Sequence, residues 1–222
     1  MHHIDEFISI IPIRAGSKGL PGKNIKPLKG IPLYKHTLFQ SLRLFKRTII
    51  STDINSVINE KHTESTLILK RPKHLSSDTT EMKDVLLDIF QNNNRSKNII
   101  VLLQATSPLR KDIDILEAIK IYQSGKFSMV MSVNETNSTV LKYGFISDKE
   151  FISLNNQKYI FSNRQHLPKV FKPNGAIYIF SVKDFLNNNF FPDKSIGSYQ
   201  MPIDRSIDID TEQDLLLVEK FL

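Results

Sequence analysis

Apolar positions recur along the chain with two periods, and the two alternate. Phe7–Ile13 is almost continuously apolar and reads as a strand, whereas Leu33–Phe45 repeats apolar residues at helical spacing through Leu38, Leu42 and Phe45. Thr48–Ser51 is a short β-branched run closing in Thr52-Asp53, and Ser65–Leu69 is a third strand candidate. After the polar Ser76-Ser-Asp-Thr-Thr80, Met82–Phe90 reads as a helix. Asn98–Leu103 is unbroken through Ile99-Ile-Val-Leu-Leu103, the pattern of a strand covered on both faces. A helix with an acidic first turn, which suits the helix dipole, runs from Asp112 to about Ser124, and Ser128–Val133 is a further strand. This rhythm predicts an α/β fold with a mostly parallel sheet and helices on both faces.

The rhythm breaks between Asn134 and Pro173. Short strand-like pieces occur there, at Val140–Ile146 and Phe151–Leu154, but the segment is too long for a plain connection and too polar for a second core. The chain therefore reads as one domain over 1–222, with 134–173 as an inserted β-arm that covers a site or reaches a partner subunit. Regular structure resumes at Ala176–Phe180. The chain closes with Ser206–Asp210 and a helix from Thr211 to Leu222, where Thr211 and Asp214 stand at capping-box spacing. Asn92-Asn-Asn94 and Asn187-Asn-Asn189 read as loop composition.

Composition narrows the class. The chain has no cysteine, which excludes disulfides, thiolate metal sites and a cysteine nucleophile, and fits a reducing cytoplasm. No apolar run approaches the roughly 20 residues that span a bilayer, and the acidic Asp5-Glu6 argues against a signal peptide. Charge is distributed unevenly. Residues 7–50 hold nine Lys or Arg and no Asp or Glu, so the whole net charge of +7 resides in the first fifty residues. A cationic field confined to one segment implies an anionic ligand there. Neither zinc-finger spacing nor an RNP motif is present, so a nucleic-acid partner is not expected.

The cations accompany glycines. Ile11-Pro-Ile-Arg-Ala-Gly-Ser-Lys-Gly-Leu-Pro-Gly-Lys-Asn24 follows the first strand, as a phosphate-binding loop would. It departs from the P-loop: five residues separate Gly16 from Gly22, and Asn24 stands where a magnesium-binding hydroxyl is required. Glycine still lets successive backbone N–H groups of Ala15, Gly16 and Ser17 turn toward an anion, and Arg14 and Lys23 add two cations. Gln104-Ala-Thr-Ser-Pro-Leu-Arg110 follows the buried strand and offers an amide and hydroxyls, although a helix-capping turn explains it equally well. If Ser206–Asp210 is a strand, Asp208 and Asp210 share a face and suit Mg²⁺, which takes oxygen ligands. Asn174-Gly175 alone reads as a tight turn. No Ser/His/Asp constellation is evident.

Together these segments resemble the acylneuraminate cytidylyltransferases, which activate sialic and related ulosonic acids. That family opens with Pro-Ala-Arg-x-Gly-Ser-Lys-Gly and ends the loop in Lys-Asn; here stand Pro12-Ile-Arg-Ala-Gly-Ser-Lys-Gly19 and Lys23-Asn24. Ile13 replaces the usual alanine and should point into the sheet. Ser51-Thr-Asp53, Arg71-Pro72, Ser77-Asp-Thr-Thr80, Gln104-Ala-Thr-Ser-Pro108, Asn174-Gly-Ala176 and Ser206-Ile-Asp-Ile-Asp210 follow in order over nearly the whole chain. The resemblance implies a Rossmann-like nucleotidyltransferase with an inserted dimerisation arm, hence a homodimer. It also implies a reaction in which the anomeric hydroxyl of a nonulosonic acid attacks the α-phosphate of CTP and releases pyrophosphate.

By position, Arg14, Lys23 and Asn24, with the Ala15–Ser17 backbone, would hold the triphosphate. Arg71, Thr80 and Gln104, with the Ala105, Thr106 and Ser107 backbone, would surround cytidine or the sugar. Asp208 and Asp210 would bind Mg²⁺ or Mn²⁺, and Arg164 or Gln165 and Asn174, with Gln104, would contact the sugar acid. Arg14 and Lys23 would act catalytically by neutralising charge on the leaving pyrophosphate. A hydroxide on the metal, or a carboxylate such as Asp210, would deprotonate the attacking hydroxyl. The alternatives are a Kdo-type or sugar-phosphate nucleotidyltransferase and a non-catalytic nucleotide-binding protein of the same fold.

Overall fold

A computed structural model describes residues 6–91 and 98–222. Asp5 and Asn92-Asn-Asn94 lie outside the described residues. Strand β1 (Phe7–Pro12) is followed by a small hairpin, β2 (Pro27–Leu28) and β3 (Ile31–Pro32), and by helix α1 (Leu33–Leu44). Next come β4 (Thr48–Thr52), α2 (Asn55–Ile58), β5 (Thr66–Lys70), α3 (Met82–Gln91), β6 (Ile99–Leu103), α4 (Asp112–Gln123) and β7 (Met129–Thr136). The remainder holds β8 (Gly144–Ser147), β9 (Glu150–Ser153), β10 (Val170–Ser181), α5 (Val182–Asn188), β11 (Ile196–Gln200) and α6 (Glu212–Glu219).

Seven strands form one sheet in the order β11-β7-β10-β6-β1-β4-β5. All neighbours are parallel except β10, which runs antiparallel to both β6 and β7. Strands β1 and β6 read as near-continuous apolar runs because helices cover both of their faces. Alternation sends Phe7 and Ile11 toward Tyr34, Leu38, Ile115 and Ile119 on one side. Ile8 and Ile10 go to the other, against Val85, Leu86, Ile89 and Phe90. Each such side chain contributes roughly 1.5–3 kcal/mol on burial, so the four buried apolar residues of α3 suffice to pin that short helix. Ile13 is buried in the first of these cores.

A third, smaller cluster lies off the sheet. Leu215 and Val218 of α6 meet Leu20, Leu28, Leu33, Leu109 and Ile209 there. Thr211 and Asp214 form the capping box that starts α6, each side chain bonding the other's backbone N–H. The cluster ties the C-terminal segment to the loop after β1.

Several local expectations change. Ser206–Asp210 is not a strand, because no neighbouring strand offers it a ladder. It is an extended segment held by Ile209, whose N–H donates to the Thr106 carbonyl at 2.9 Å and whose side chain fills the third cluster. Asn174-Gly175 is not a hairpin turn. The pair lies inside β10, where the register with β7 shifts between Pro173 and Tyr178, and Gly175 takes φ +79°. Val140–Ile146 is not one strand: Ser138–Lys142 is a 3₁₀ turn and β8 begins only at Gly144. Strands β7 and β10 also carry the main sheet to Thr136 and back from Val170, further than the break in rhythm suggested. No helix among the described residues is long and apolar enough to cross a membrane.

Candidate functional site

Strand β1 hands on to β4 and β5 on one side, whereas β6 lies on its other side. This is a topological switch point, and the crevice beyond the carboxyl ends of β1 and β6 is where such sheets bind ligands. A cleft of about 440 Å³ opens there. Its lining combines Arg14, Gly16, Ser17, Lys18, Lys23 and Asn24 of the first loop with Arg71, Gln104–Thr106, Gly175, Asp208 and Asp210. Segments from the two ends of the sequence thus share one cavity, and Lys23 and Asp210, 187 residues apart, touch in it.

The first loop is held from three directions. Asp53, at the end of β4, accepts the Ala15 N–H at 2.8 Å. Asn24 is buried and donates to the Arg14 carbonyl at 2.9 Å. Lys23 Nζ donates to the Ile209 carbonyl at 2.9 Å and to Asp210 Oδ1 at 2.7 Å. Gly19 lies so close that a Cβ there would stand 2.4 Å from the Asp210 carbonyl oxygen. Only a residue without a side chain permits this approach.

Positive charge is concentrated at the other wall. Arg71 is buried, with Nε and Nη2 on the Ser51 hydroxyl and carbonyl. Burial brings its pKa down to about 10; Asp53 opposes that shift and the charge of Arg14 adds to it. Two guanidinium groups that repel each other beside an open cleft favour an anion between them. Arg14 is itself paired with Asp78 at 2.6 Å.

The floor is braced by Arg110, which is buried and donates to Gln40 Oε1, Thr37 Oγ1 and the carbonyls of Gln104 and Ala176. It locks the loop after β6 to the bulge in β10. Ser107 is also buried and Thr80 bonds Ser77 and the His74 carbonyl; neither lines the cleft, and nor does Ala15.

Asp208 and Asp210 form a ridge. Both face the cleft and also a neighbouring cavity of about 570 Å³, which continues past Asn174, Tyr178 and Lys172. Although Asp208 reaches solvent along this ridge, the protein around it raises its carboxyl above the ordinary value, chiefly by desolvation and further by the charge of Asp210. A hydrogen bond with Thr106 works in the opposite direction. No three His, Cys, Asp or Glu side chains gather as a metal cage among the described residues. Two adjacent carboxylates of like charge nevertheless suit a hard divalent cation that draws its other ligands from phosphate and water.

The residues named from the sequence for the sugar are not all together. Gln104 stands between the cleft and a small apolar cavity of about 270 Å³ formed by Met82, Leu102, Met129, Tyr178 and Phe191. Asn174 is buried, and its amide is engaged by Ser132, Ser206 and the Ala176 N–H. Arg164 borders a different cavity, with Asn134, Lys172 and Gln200, and the exposed Gln165 borders none of these spaces. Sequence reasoning did not single out Asp53, Asp78, Lys18, Tyr178 or Phe191. Asp53 and Asp78 fall in segments that carried the resemblance, whereas Phe191 gave no signal beyond its hydrophobicity.

The family described as Cytidylyltransferase has a sequence model that matches residues 8–183. An N-acylneuraminate cytidylyltransferase of Streptococcus agalactiae serotype III is 34% identical over 218 residues, covering 95% of this chain and 52% of the relative. The chain thus spans about half the length of the first curated relatives it matches. A CMP-N,N'-diacetyllegionaminic acid synthase of Legionella pneumophila is 30% identical, covering 97% of this chain and 96% of that one. Among solved structures, a CMP:2-keto-3-deoxy-manno-octonic acid synthetase complexed with CTP matches with a TM-score of 0.64 at 15% identity, covering 97% of both chains.

Proposed function

The chain belongs to the cytidylyltransferase family, and we propose that it transfers CMP from CTP to the anomeric hydroxyl of a sialic-acid-like nonulosonic acid, releasing pyrophosphate. One observation carries this: the cationic first loop and the Asp208/Asp210 ridge line one cleft, joined by the Lys23–Asp210 pair, and the ridge also borders a second cavity. A triphosphate beside Arg14, Lys18, Lys23 and Arg71 leaves its α-phosphate near the ridge, and an acceptor in the second cavity approaches it from the other side. Phosphoryl chemistry of this kind depends mainly on positioning and charge neutralisation. Lys23 and Arg14 supply positive charge where the leaving pyrophosphate accumulates it. Asp208 and Asp210 would hold Mg²⁺ or Mn²⁺, which when bound withdraws charge from phosphate oxygens.

The relatives' substrates are acylated sugar acids by name, and the apolar cavity beside Gln104 has the lining and size for a short acyl group. Gln104, which borders both spaces, would hydrogen-bond an acyl amide or a ring hydroxyl. Arg110 keeps the walls in register, and Asn174, held by Ser132 and Ser206, borders the cavity proposed for the acceptor. The test is pyrophosphate release with CTP, Mg²⁺ and a panel of sialic, legionaminic, pseudaminic and eight-carbon Kdo acids. Turnover with nine-carbon acylated acids supports the proposal; turnover with Kdo alone redirects it, and none across the panel refutes it.

The segment 134–173 would serve as a dimerisation arm. Its hairpin exposes Phe145, Ile146 and Phe151, and Phe161 beyond it is 89% exposed. Large exposed apolar side chains concentrated in one segment are a feature of interfaces. Light scattering should give twice the monomer mass, and a shift to monomer on replacing Phe161 and Ile146 by Ser would assign the arm. A cysteine-free, CTP-using enzyme fits the cytoplasm.

A further inference from the structure

Asp78 is an acid in a cleft whose neighbouring charges favour an anion. Arg14, Lys18, Lys23 and Arg71 line the same space, yet Asp78 Oδ1 lies 2.6 Å from Arg14 Nη2. The other terminal nitrogen of that guanidinium, Nη1, is buried without a hydrogen-bond acceptor. An arginine fork is most stable when its donors are all satisfied, so Arg14 is held where part of its fork is idle.

Among the described residues, the hydroxyls of the loop that carries Asp78 bond within its own surroundings. Ser76 Oγ donates to the Pro72 carbonyl, Ser77 Oγ bonds the Thr79 and Thr80 hydroxyls, and Thr80 Oγ1 donates to the His74 carbonyl. The Asp78–Arg14 pair spans 64 residues and joins this loop to the first one. A carboxylate seated on a guanidinium occupies the place that a phosphate oxygen would take, since both bind the fork in the same way.

We propose that Asp78 is a built-in competitor for Arg14, holding it in the ligand-free chain, yielding it to an incoming triphosphate and reclaiming it as pyrophosphate leaves. This rests on the nucleotidyl-transfer reading of the cleft. A tethered carboxylate acts at an effective concentration of about millimolar, and a partly exposed pair is weak enough to be displaced. Intact CTP is also held through its cytidine, so the competition is a small handicap on entry. Once the α–β phosphate link is broken, pyrophosphate keeps only its charge contacts, and competition for Arg14 shortens its stay.

The experiment compares the wild-type chain with Asp78→Asn, which keeps the size and removes the charge of a partly exposed loop residue; unfolding curves check that the variant folds. Calorimetric titrations use inorganic pyrophosphate and, as a probe without phosphate, cytidine. The variant should bind pyrophosphate about three- to tenfold more tightly, with the gain shrinking at high salt, while cytidine affinity stays the same. Equal pyrophosphate affinity in both proteins, or an equal gain for cytidine, overturns the proposal. Failure of the wild-type chain to bind CTP would count against the nucleotide reading alone, because the pyrophosphate comparison needs no nucleotide.

Discussion

Lys23 Nζ stands 2.7 Å from Asp210 Oδ1 and 2.9 Å from the Ile209 carbonyl, so a residue near the start of the chain is fastened to one near its end. The contact joins the cationic loop to the acidic ridge. It also fixes the distance between the groups proposed to hold the triphosphate and those proposed to hold the metal.

Lys23→Gln should therefore impair transfer more than stability. It removes a cation from the position where pyrophosphate gathers charge, and losses for such groups run to about 10²–10³-fold in kcat. The exposed pair with Asp210 contributes about 0–1 kcal/mol. Steady-state rates and denaturant curves on the same preparation check both expectations.

Gly19→Ala should cost both. A Cβ at 2.4 Å from the Asp210 carbonyl oxygen forces the loop or the ridge aside. Overpacking of this kind typically destabilises by about 1–3 kcal/mol. The displaced backbone should reduce kcat/KM by at least about 10²-fold, because misplacement by an ångström is that damaging. An unfolding midpoint and rate equal to wild type would contradict the close approach.

Asp208→Asn should abolish transfer while stabilising the metal-free chain at neutral pH. Folding raises the Asp208 carboxyl above its ordinary value, chiefly by desolvation, so the folded state holds its proton more tightly than the unfolded state does. The charged form is then a penalty, absent below the ordinary carboxylate range and complete once pH exceeds the raised value. The variant's advantage in Tm should accordingly vanish in acid and grow toward neutrality. Mg²⁺ should raise the Tm of the wild-type chain and not that of the variant.

Phe191→Ala should discriminate between substrates. Phe191 helps to form the apolar cavity beside Gln104 and does not line the nucleotide cleft. Enlarging the cavity should lower kcat/KM for acylated acids by about 10–200-fold while leaving the KM for CTP unchanged. Equal losses against acylated and non-acylated acids would dissociate the cavity from acyl recognition.

The sheet was legible in the sequence wherever burial on both faces produced near-continuous apolar runs. Phe7–Pro12 and Ile99–Leu103 are the clear cases, and Thr211 with Asp214 marked the start of α6 through local capping chemistry. Strand β11 was not anticipated, because Ile196–Gln200 is an edge strand that mixes Gly, Ser and Gln with its apolar residues. Ser206–Asp210 alternated like a strand although it has no partner; the alternation instead reflects Ile209 pointing into a core while Asp208 and Asp210 face outward. Cations of the first loop could be named because glycines accompanied them. Their acidic counterparts could not: Asp53 on the Ala15 N–H and Asp78 on Arg14 are pairings across 38 and 64 residues, for which sequence has no spacing rule.

The most direct test follows the atom proposed to attack. A nonulosonic acid labelled with ¹⁸O at its anomeric hydroxyl is incubated with CTP and Mg²⁺, and the products are weighed by mass spectrometry. Attack by that hydroxyl on the α-phosphate predicts a CMP-sugar that retains the label, with unlabelled pyrophosphate. A labelled pyrophosphate, a CMP-sugar that has lost the label, or no CMP-sugar from any acid of the panel would contradict it.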